Sequence, residues 1–202
     1  MTQAGQHSMM GGVKLPYDAE VEYLQGDGNA YISTGVVPPK NSVVSMSLTV
    51  GFASGSSMRR FLASDGAETY THYCDISATN QFGAPGAYTS PVLSADTLYS
   101  ATMEIEGATR ANYSIVSGGT TYTSTTIDFR SGYFGELLLF RISTRYAGSG
   151  QRIGACKIYV NGVLVRYYIP VRVGTTGYLY DRVSGKLFGN AGTGVFGYGN
   201  DK

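Results

Sequence analysis

The chain has 202 residues, which is enough for one domain of ordinary size and too few for two comfortable ones. Charged residues make up only 14% and the formal net charge is +1, which argues against a nucleic-acid partner held through its phosphates. Hydrophobic residues reach 43%, which argues against disorder, and the 28 glycines and 17 tyrosines are typical of an all-β protein with many turns.

The start of the chain differs from the rest. Residues 1–16 are polar and without periodicity, and we interpret them as a flexible arm or attachment segment before a single domain over residues 17–199. Residues 1–10 lack the basic and apolar regions of a secretory signal, which predicts a protein made and left in the cytoplasm. The longest apolar run, residues 137–140, has the length of a strand, so no membrane span is predicted.

The first two clear strands alternate between apolar and polar residues. The segments 43–50 and 98–106 each place apolar side chains on one face and mostly serine, threonine or glutamate on the other. The apolar residues are Val44, Met46, Leu48 and Val50 in the first segment and Tyr99, Ala101, Met103 and Ile105 in the second. Both segments are therefore predicted as half-buried strands with one face in water.

The following segments predict hairpins. Residues 111–116 and 120–127 are two strands joined at Gly118-Gly119, and residues 136–142 are apolar on both faces, as in a central strand covered on each side. Asn161-Gly162 is the preferred pair for a two-residue hairpin turn, because both positions need a positive φ. Pro170 is predicted to end the second strand of that hairpin, since proline cannot donate a ladder hydrogen bond.

A last hairpin joins residues 177–181 to residues 186–188 through a turn at residues 183–185. Throughout the chain, short strands follow one another with glycine-rich turns between them, and no segment shows a sustained helical period. This pattern favours two antiparallel sheets packed as a sandwich.

Three stretches carry a resemblance to a known family. Residues 21–38 read VEYLQGDGNAYISTGVVP, residues 156–172 contain the late hairpin, and residues 177–194 end in GNAGTG. Together they resemble the concanavalin A-like, laminin-G-like jelly-roll family found in phages of gut bacteria and in those bacteria. The resemblance implies an all-β, two-sheet antiparallel jelly-roll sandwich. The middle, residues 51–131, has family-like strands and no signature.

The resemblance also implies a binding or attachment module. The expected role is a structural protein of a phage virion, a tail or head fibre or decoration, that binds host glycans and assembles as a homo-oligomer, with a trimer favoured. The arm, residues 1–16, is then the candidate segment for binding a virion partner. The alternative is a secreted bacterial carbohydrate-binding surface protein, which needs an export signal upstream.

Tyrosines are the candidate ligand-binding residues. Tyr70, Tyr73 and Tyr88 fall within residues 64–91, a Gly-, Ser- and Thr-rich segment that we interpret as long loops. A tyrosine ring can stack on the C–H surface of a sugar while its hydroxyl forms hydrogen bonds. These three residues are the predicted carbohydrate site, with capping of the sandwich or contact with a neighbouring subunit as the alternative.

The acidic residues give a weaker signal. Glu104 and Glu106 share one strand face, but the further acid that a sandwich glycosidase pattern requires is replaced by Thr109. No nucleophile elbow, phosphate-binding loop or zinc-protease motif occurs in the sequence. The protein is therefore predicted not to be an enzyme, and the two glutamates are interpreted as part of a solvated strand face.

The remaining candidates concern cysteines and metals. Cys74 and Cys156 are predicted to be buried free thiols, with one disulfide as the alternative, and His72 near Cys74 lacks the partners of a zinc site. Asp65 and Asp75 are predicted in loops, where aspartates could bind Ca²⁺, but no run of alternating aspartates supports such a site. No cofactor is predicted.

Overall fold

A computed structural model describes most of the chain. The described residues are 14–55, 59–65, 73–84, 87–106, 110–127, 135–141 and 149–202. They contain strands and no helix, and the strands form two antiparallel sheets. The all-β prediction is therefore confirmed.

The larger sheet has eight strands in one continuous order. From one edge to the other these are β11 (Thr120–Ile127), β10 (Arg110–Ser117), β9 (Tyr99–Glu106), β4 (Val43–Phe52), β13 (Ser149–Val160), β14 (Val163–Val173), β15 (Thr176–Asp181) and β16 (Lys186–Phe188). Three further strands pair outside this order: β1 (Ala19–Glu20) with β14, β2 (Leu24–Asp27) with β13, and β17 (Gly197–Tyr198) with β2.

The smaller sheet has six strands. Their order is β3 (Ile32–Ser33), β12 (Glu136–Leu139), β5 (Arg59–Asp65), β6 (Tyr73–Ile76), β7 (Phe82–Ala84) and β8 (Ala87–Tyr88). Strand β12 lies between β3 and β5, and Leu137, Leu139 and the following Phe140 are fully buried. The predicted central position of this segment is confirmed.

The core lies between the two sheets. The apolar faces predicted for residues 43–50 and 98–106 are both buried, and they belong to one cluster with Phe61, Leu62 and Phe82 of the smaller sheet. The Phe82 and Tyr113 rings meet edge to face across the two layers, with ring centres 6.2 Å apart. Burial of this seam is the main force that holds the layers together.

The predicted hairpin turns are confirmed by their backbone conformation. Gly118 and Gly119 have φ of 57° and 78°, and Asn161 and Gly162 have φ of 49° and 78°. Asn161 also connects its turn to β4, because its N–H donates to the Val43 carbonyl (2.8 Å) and its Oδ1 accepts from the Val43 N–H (2.9 Å). The turn is therefore fixed by its own conformation and by its neighbour.

The predicted end of a strand at Pro170 is wrong. Strand β14 continues to Val173, and Pro170 lies opposite Leu179 of β15. The Pro170 carbonyl accepts a hydrogen bond from the Val21 N–H (3.0 Å), on the side of β14 that faces away from β15. Since the N–H and C=O of one strand residue point the same way, the missing donor faces that side and the ladder to β15 loses nothing.

The interpretation of residues 64–91 as long loops is wrong for the part that the structure describes. Strands β6, β7 and β8 lie within this segment, although none exceeds four residues. Runs this short contain too few residues for the alternation of apolar and polar side chains to be recognised. Gly83 allows the close packing here, because a Cβ at this position would lie 2.2 Å from the Ala87 carbonyl oxygen.

Two side chains connect the beginning of the fold to its end. The Asp27 carboxylate accepts hydrogen bonds from the N–H groups of Asn29, Ala30 and Val195 (2.8, 2.9 and 2.6 Å). Asn190 accepts from the Tyr31 N–H (3.0 Å) and donates to the Gly194 carbonyl (2.6 Å). The residues that carry the family resemblance thus form one contact between residues 27–31 and 190–195.

Candidate functional site

The candidate site is an open groove of about 500 Å³ on the face of the larger sheet that points away from the core. It crosses five adjacent strands, β11, β10, β9, β4 and β13. The outward-facing residues that line it are Ser45, Ser47, Thr102, Glu104, Asn112, Ser114, Thr123, Thr125 and Tyr159.

Period-2 alternation places these polar side chains in the groove. Along β4 and β9 every second side chain is buried, so the intervening residues point to the opposite face. Two of the groove residues, Ser45 and Glu104, are half-buried, whereas Ser47 and Thr102 are exposed. The solvent-exposed faces that the sequence predicts for β4 and β9 therefore form the floor of the groove.

Strand register arranges the side chains in two rows perpendicular to the strands. The first row contains Tyr159, Ser45, Glu104, Asn112 and Thr125, which are successive partners from β13 to β11. The second row contains Ser47, Thr102, Ser114 and Thr123. Each strand thus adds one polar side chain to a row, at the strand spacing of about 4.8 Å.

Hydrogen bonds between neighbouring strands order these rows. The Thr102 and Ser114 hydroxyls lie 2.6 Å apart, and the Thr125 hydroxyl donates to the Asn112 side-chain carbonyl (3.0 Å). The Ser45 hydroxyl lies 3.4 Å from the Glu104 carboxylate, at the long end of hydrogen-bond distances. The groove therefore offers fixed hydroxyls, an amide and a carboxylate.

Charge in the groove is sparse. Of the described residues that line it, Glu104 is the one that carries a charge. Positive charge lies beside the groove on the same face, where the Lys157 ammonium is 4.7 Å from the centre of the Tyr167 ring. The Arg182 guanidinium lies 5.3 Å from the same ring centre and pairs with Glu20 (2.9 Å). A ligand of this groove would meet hydroxyls and one anion.

The structure does not bring the three predicted tyrosines to this groove. Tyr88 is half-buried in β8, and Tyr73 begins β6, where only its backbone is described; both strands belong to the smaller sheet. Tyr70 lies outside the described residues. The three tyrosines therefore remain a prediction, and the groove is a second candidate site that lies on the other sheet.

The acidic candidates divide between the two sheets. Glu104 faces the groove and Glu106 lies exposed two residues along the same strand, in agreement with a solvated face. The prediction of loops around Asp65 and Asp75 is wrong, because both belong to strands, and Asp75 is 7% exposed. In the described part of the chain, no group of three or more His, Cys, Asp or Glu side chains is placed to bind a metal ion.

The cysteines are both free and buried, as predicted. Cys74 belongs to β6 of the smaller sheet and Cys156 to β13 of the larger sheet, and both are core residues. His72 lies outside the described residues. The described residues include no helix that could span a membrane.

Comparisons with known proteins find similarity only among the solved structures. No family model matches the chain, and no curated protein matches it. Among solved structures, the chain is similar to the enzymatically active domain of tailspike protein 2 of bacteriophage CBA120, with 10% identity and a TM-score of 0.45. The similarity covers 74% of this chain and 30% of the tailspike chain. A similarity of this size assigns neither fold nor function.

The prediction that the protein is not an enzyme is corrected by this comparison. The tailspike domain is described as enzymatically active, so the chain's structural similarity is to a domain that has an activity. At 10% identity, that activity is not transferred to this chain.

Proposed function

We propose that this protein is a carbohydrate-binding module of a phage particle, and that the groove on the larger sheet binds a polysaccharide of the bacterial surface. The groove residues are the observation that carries the proposal. Ordered hydroxyls, an amide and a carboxylate match the alternating donors and acceptors of sugar hydroxyls. Tyr159 at the β13 end of the first row adds an aromatic ring beside them.

The spacing of the rows supports an extended ligand. Strands lie about 4.8 Å apart, which is close to the length of one hexose in a chain. A polysaccharide that crosses the strands would therefore meet one side chain of each row for every sugar. Five strands contribute to the first row, so the groove suits a short run of sugars better than a single one.

The charge of the groove indicates which class of polysaccharide, acidic or not, it would bind. Glu104 would repel a uronic acid, a sialic acid or a phosphate, and no cation among the described lining residues offsets it. The proposed ligand is therefore a neutral or amino-sugar polysaccharide. An acidic capsule polysaccharide is the matched negative control.

The phage assignment is supported by the motif resemblance of residues 21–38, 156–172 and 177–194 and by the two-layer β fold. Within this proposal the sandwich is a jelly roll, and the arm, residues 1–16, attaches the domain to the particle. Mass spectrometry of purified particles tests the assignment, because the chain should be present in them and should remain after washing in high salt.

Glu104→Gln and Glu106→Gln form a matched pair of variants that tests the groove. Both glutamates belong to β9 and point to the same face, but Glu104 lines the groove and Glu106 does not. On an array of neutral, amino-sugar and acidic bacterial polysaccharides, we expect E104Q to weaken binding of the recognised polysaccharide about tenfold, which equals about 1.4 kcal/mol. E106Q should bind as the wild type does.

The same array distinguishes the two candidate sites. Alanine variants of Tyr70, Tyr73 and Tyr88 should bind normally if the groove is the site. Loss of binding in these variants, with E104Q unaffected, would contradict the groove and support the tyrosines. Assay of the bound polysaccharide for new reducing ends reports hydrolysis in the same samples.

A further inference from the structure

We infer that strand β11 is the interface between two copies of this chain, which pair antiparallel about a two-fold axis at Thr123. In this arrangement the two larger sheets form one continuous sheet. The inference concerns the edge of the sheet and does not depend on what the groove binds.

Among the described residues, the strands at the edges of the two sheets differ sharply. The smaller sheet ends in β3 and β8, and β1 and β17 lie at the periphery of the larger sheet; all four have two residues. The eight-strand order ends on one side in β16, with three residues beginning at Lys186. Short or charged edge strands resist pairing with another chain. Strand β11 has eight residues without charge or proline and pairs with β10 in unbroken register, so it has none of these protections.

The hairpin register determines which backbone groups of β11 are available. Gly118 and Gly119 form a two-residue turn, so Ser117 and Thr120 are the hydrogen-bonded pair that closes it. Alternate residues of β11 therefore bond to β10, starting at Thr120. The N–H and C=O groups of the intervening Thr121, Thr123 and Thr125 point away from β10, to the side where no described strand pairs with β11.

The sequence of β11 favours a second copy as the partner. Residues 120–126 read TTYTSTT, which is nearly symmetric about Thr123. Antiparallel self-pairing at that point puts Thr121 opposite Thr125 of the other copy and Thr123 opposite itself. On the face of the sheet that points away from the core, every side chain at the interface is then a threonine opposite a threonine, which is a favourable cross-strand pair. No like charges lie opposite each other. Each of the three pairs would exchange two backbone hydrogen bonds.

The inward-facing side chains of β11 are also less buried than those of β10. In β10 the inward-facing Ala111, Tyr113 and Ile115 are at most 2% exposed. In β11 the corresponding Tyr122 and Ser124 are only half-buried. Pairing would place Tyr122 opposite Ser124 of the other copy, so that each copy covers the part of the sandwich that the other leaves open. A two-fold contact closes on itself and gives a dimer in place of the trimer expected from the sequence.

The pairing also changes the groove. Thr123 and Thr125 line the groove at its β11 end. In the paired arrangement the grooves of the two copies meet at the two-fold axis and form one trough along the shared face. The second copy thereby supplies its own Thr123 and Thr125 to the site.

Light scattering of the full chain over a concentration series tests the inference. A single chain has a mass of 21.5 kDa, and we expect a mass of twice that value at high concentration. Thr123→Pro removes the central outward N–H without removing a donor to β10, so it should shift the protein to the single-chain mass. Thr123→Val keeps the backbone donor and a similar shape and should remain a dimer.

A second variant keeps the test valid if T123P does not fold. Thr121→Lys combined with Thr125→Lys places like charges opposite each other across the axis, so the dimer should dissociate at low salt and partly reform at high salt. Hydrogen exchange of the Thr121, Thr123 and Thr125 amides should slow with increasing concentration in the wild type. A single-chain mass at every concentration, a trimer, or a dimer that survives both changes would overturn the inference.

Discussion

Individual side chains hold together segments that are far apart in sequence. Asp27 bonds to Val195 and Asn190 bonds to Tyr31, so the first and last parts of the fold are fixed to each other. Gly194 is required at this contact, because a Cβ there would lie 2.2 Å from Asp27 Oδ1 and 2.6 Å from the Ala30 nitrogen. The motifs behind the family resemblance are therefore explained by stability, which is why they indicate a fold more clearly than a ligand.

Replacing Asp27 by alanine should destabilise the protein. The variant leaves three N–H groups without their charged acceptor, and we expect a loss of about 1–2 kcal/mol in urea unfolding at pH 7. Asp27→Asn keeps one acceptor and should lose less. An unfolding midpoint equal to that of the wild type would show that this contact does not contribute to stability.

The effect of Asp27 should depend on pH. Burial of the carboxyl raises its pKa, but the N–H groups of Val195, Asn29 and Ala30 together lower the pKa below its usual value. A lowered pKa in the folded state means that the carboxylate stabilises the protein at pH values above its unfolded pKa of about 4. This stabilisation is lost as the pH falls through the pKa of the folded state. The difference in unfolding free energy between wild type and D27A should therefore shrink in acid. A difference that grows in acid would contradict this role of the Asp27 carboxylate.

The thiols should be unreactive in the folded protein. Burial raises the pKa of Cys156 to about 12 and raises that of Cys74 as well, so little thiolate exists at neutral pH. We expect no reaction with a thiol reagent at pH 8 while the chain is folded. After unfolding in the absence of a reductant, two thiols of each chain should react. Fewer than two after unfolding would indicate the disulfide alternative.

At the scale of elements, turns are the most predictable feature. The conformation of Gly118-Gly119 and Asn161-Gly162 follows from local backbone preferences, and both hairpins occur as predicted. The prediction for Pro170 fails because its neighbour on the donor side, Val21, is more than a hundred residues away. Strands β6 to β8 are not predicted, because each is too short to show the alternation of apolar and polar residues.

Asn161 offers a test at this scale. Asn161→Ala should cost about 1–2 kcal/mol, because alanine tolerates a positive φ poorly and cannot accept from the Val43 N–H. Asn161→Asp keeps both the conformation and the acceptor, and should cost less than half as much. Thermal unfolding of the two variants side by side measures the difference, and equal melting temperatures would contradict this role of the turn.

At the scale of the whole molecule, the groove shows what a single sequence leaves undetermined. Alternation of apolar and polar residues is enough to identify the polar faces of β4 and β9, including Glu104. The alignment of Ser45, Glu104, Asn112 and Thr125 into one row depends on the order and register of strands distant in sequence, which no local pattern encodes. The same pairing leaves β11 at the edge, so the groove and the proposed interface follow from one arrangement of strands.

The central claim is that the outer face of the larger sheet recognises the ligand. Its most direct test is an NMR titration of the labelled protein with an oligosaccharide of the recognised polysaccharide. We expect the largest shift changes at Ser45, Glu104, Asn112, Thr125 and Tyr159, with residues 70–91 unchanged. Changes confined to residues 70–91, with the signals of the two groove rows unmoved at saturation, would contradict the claim.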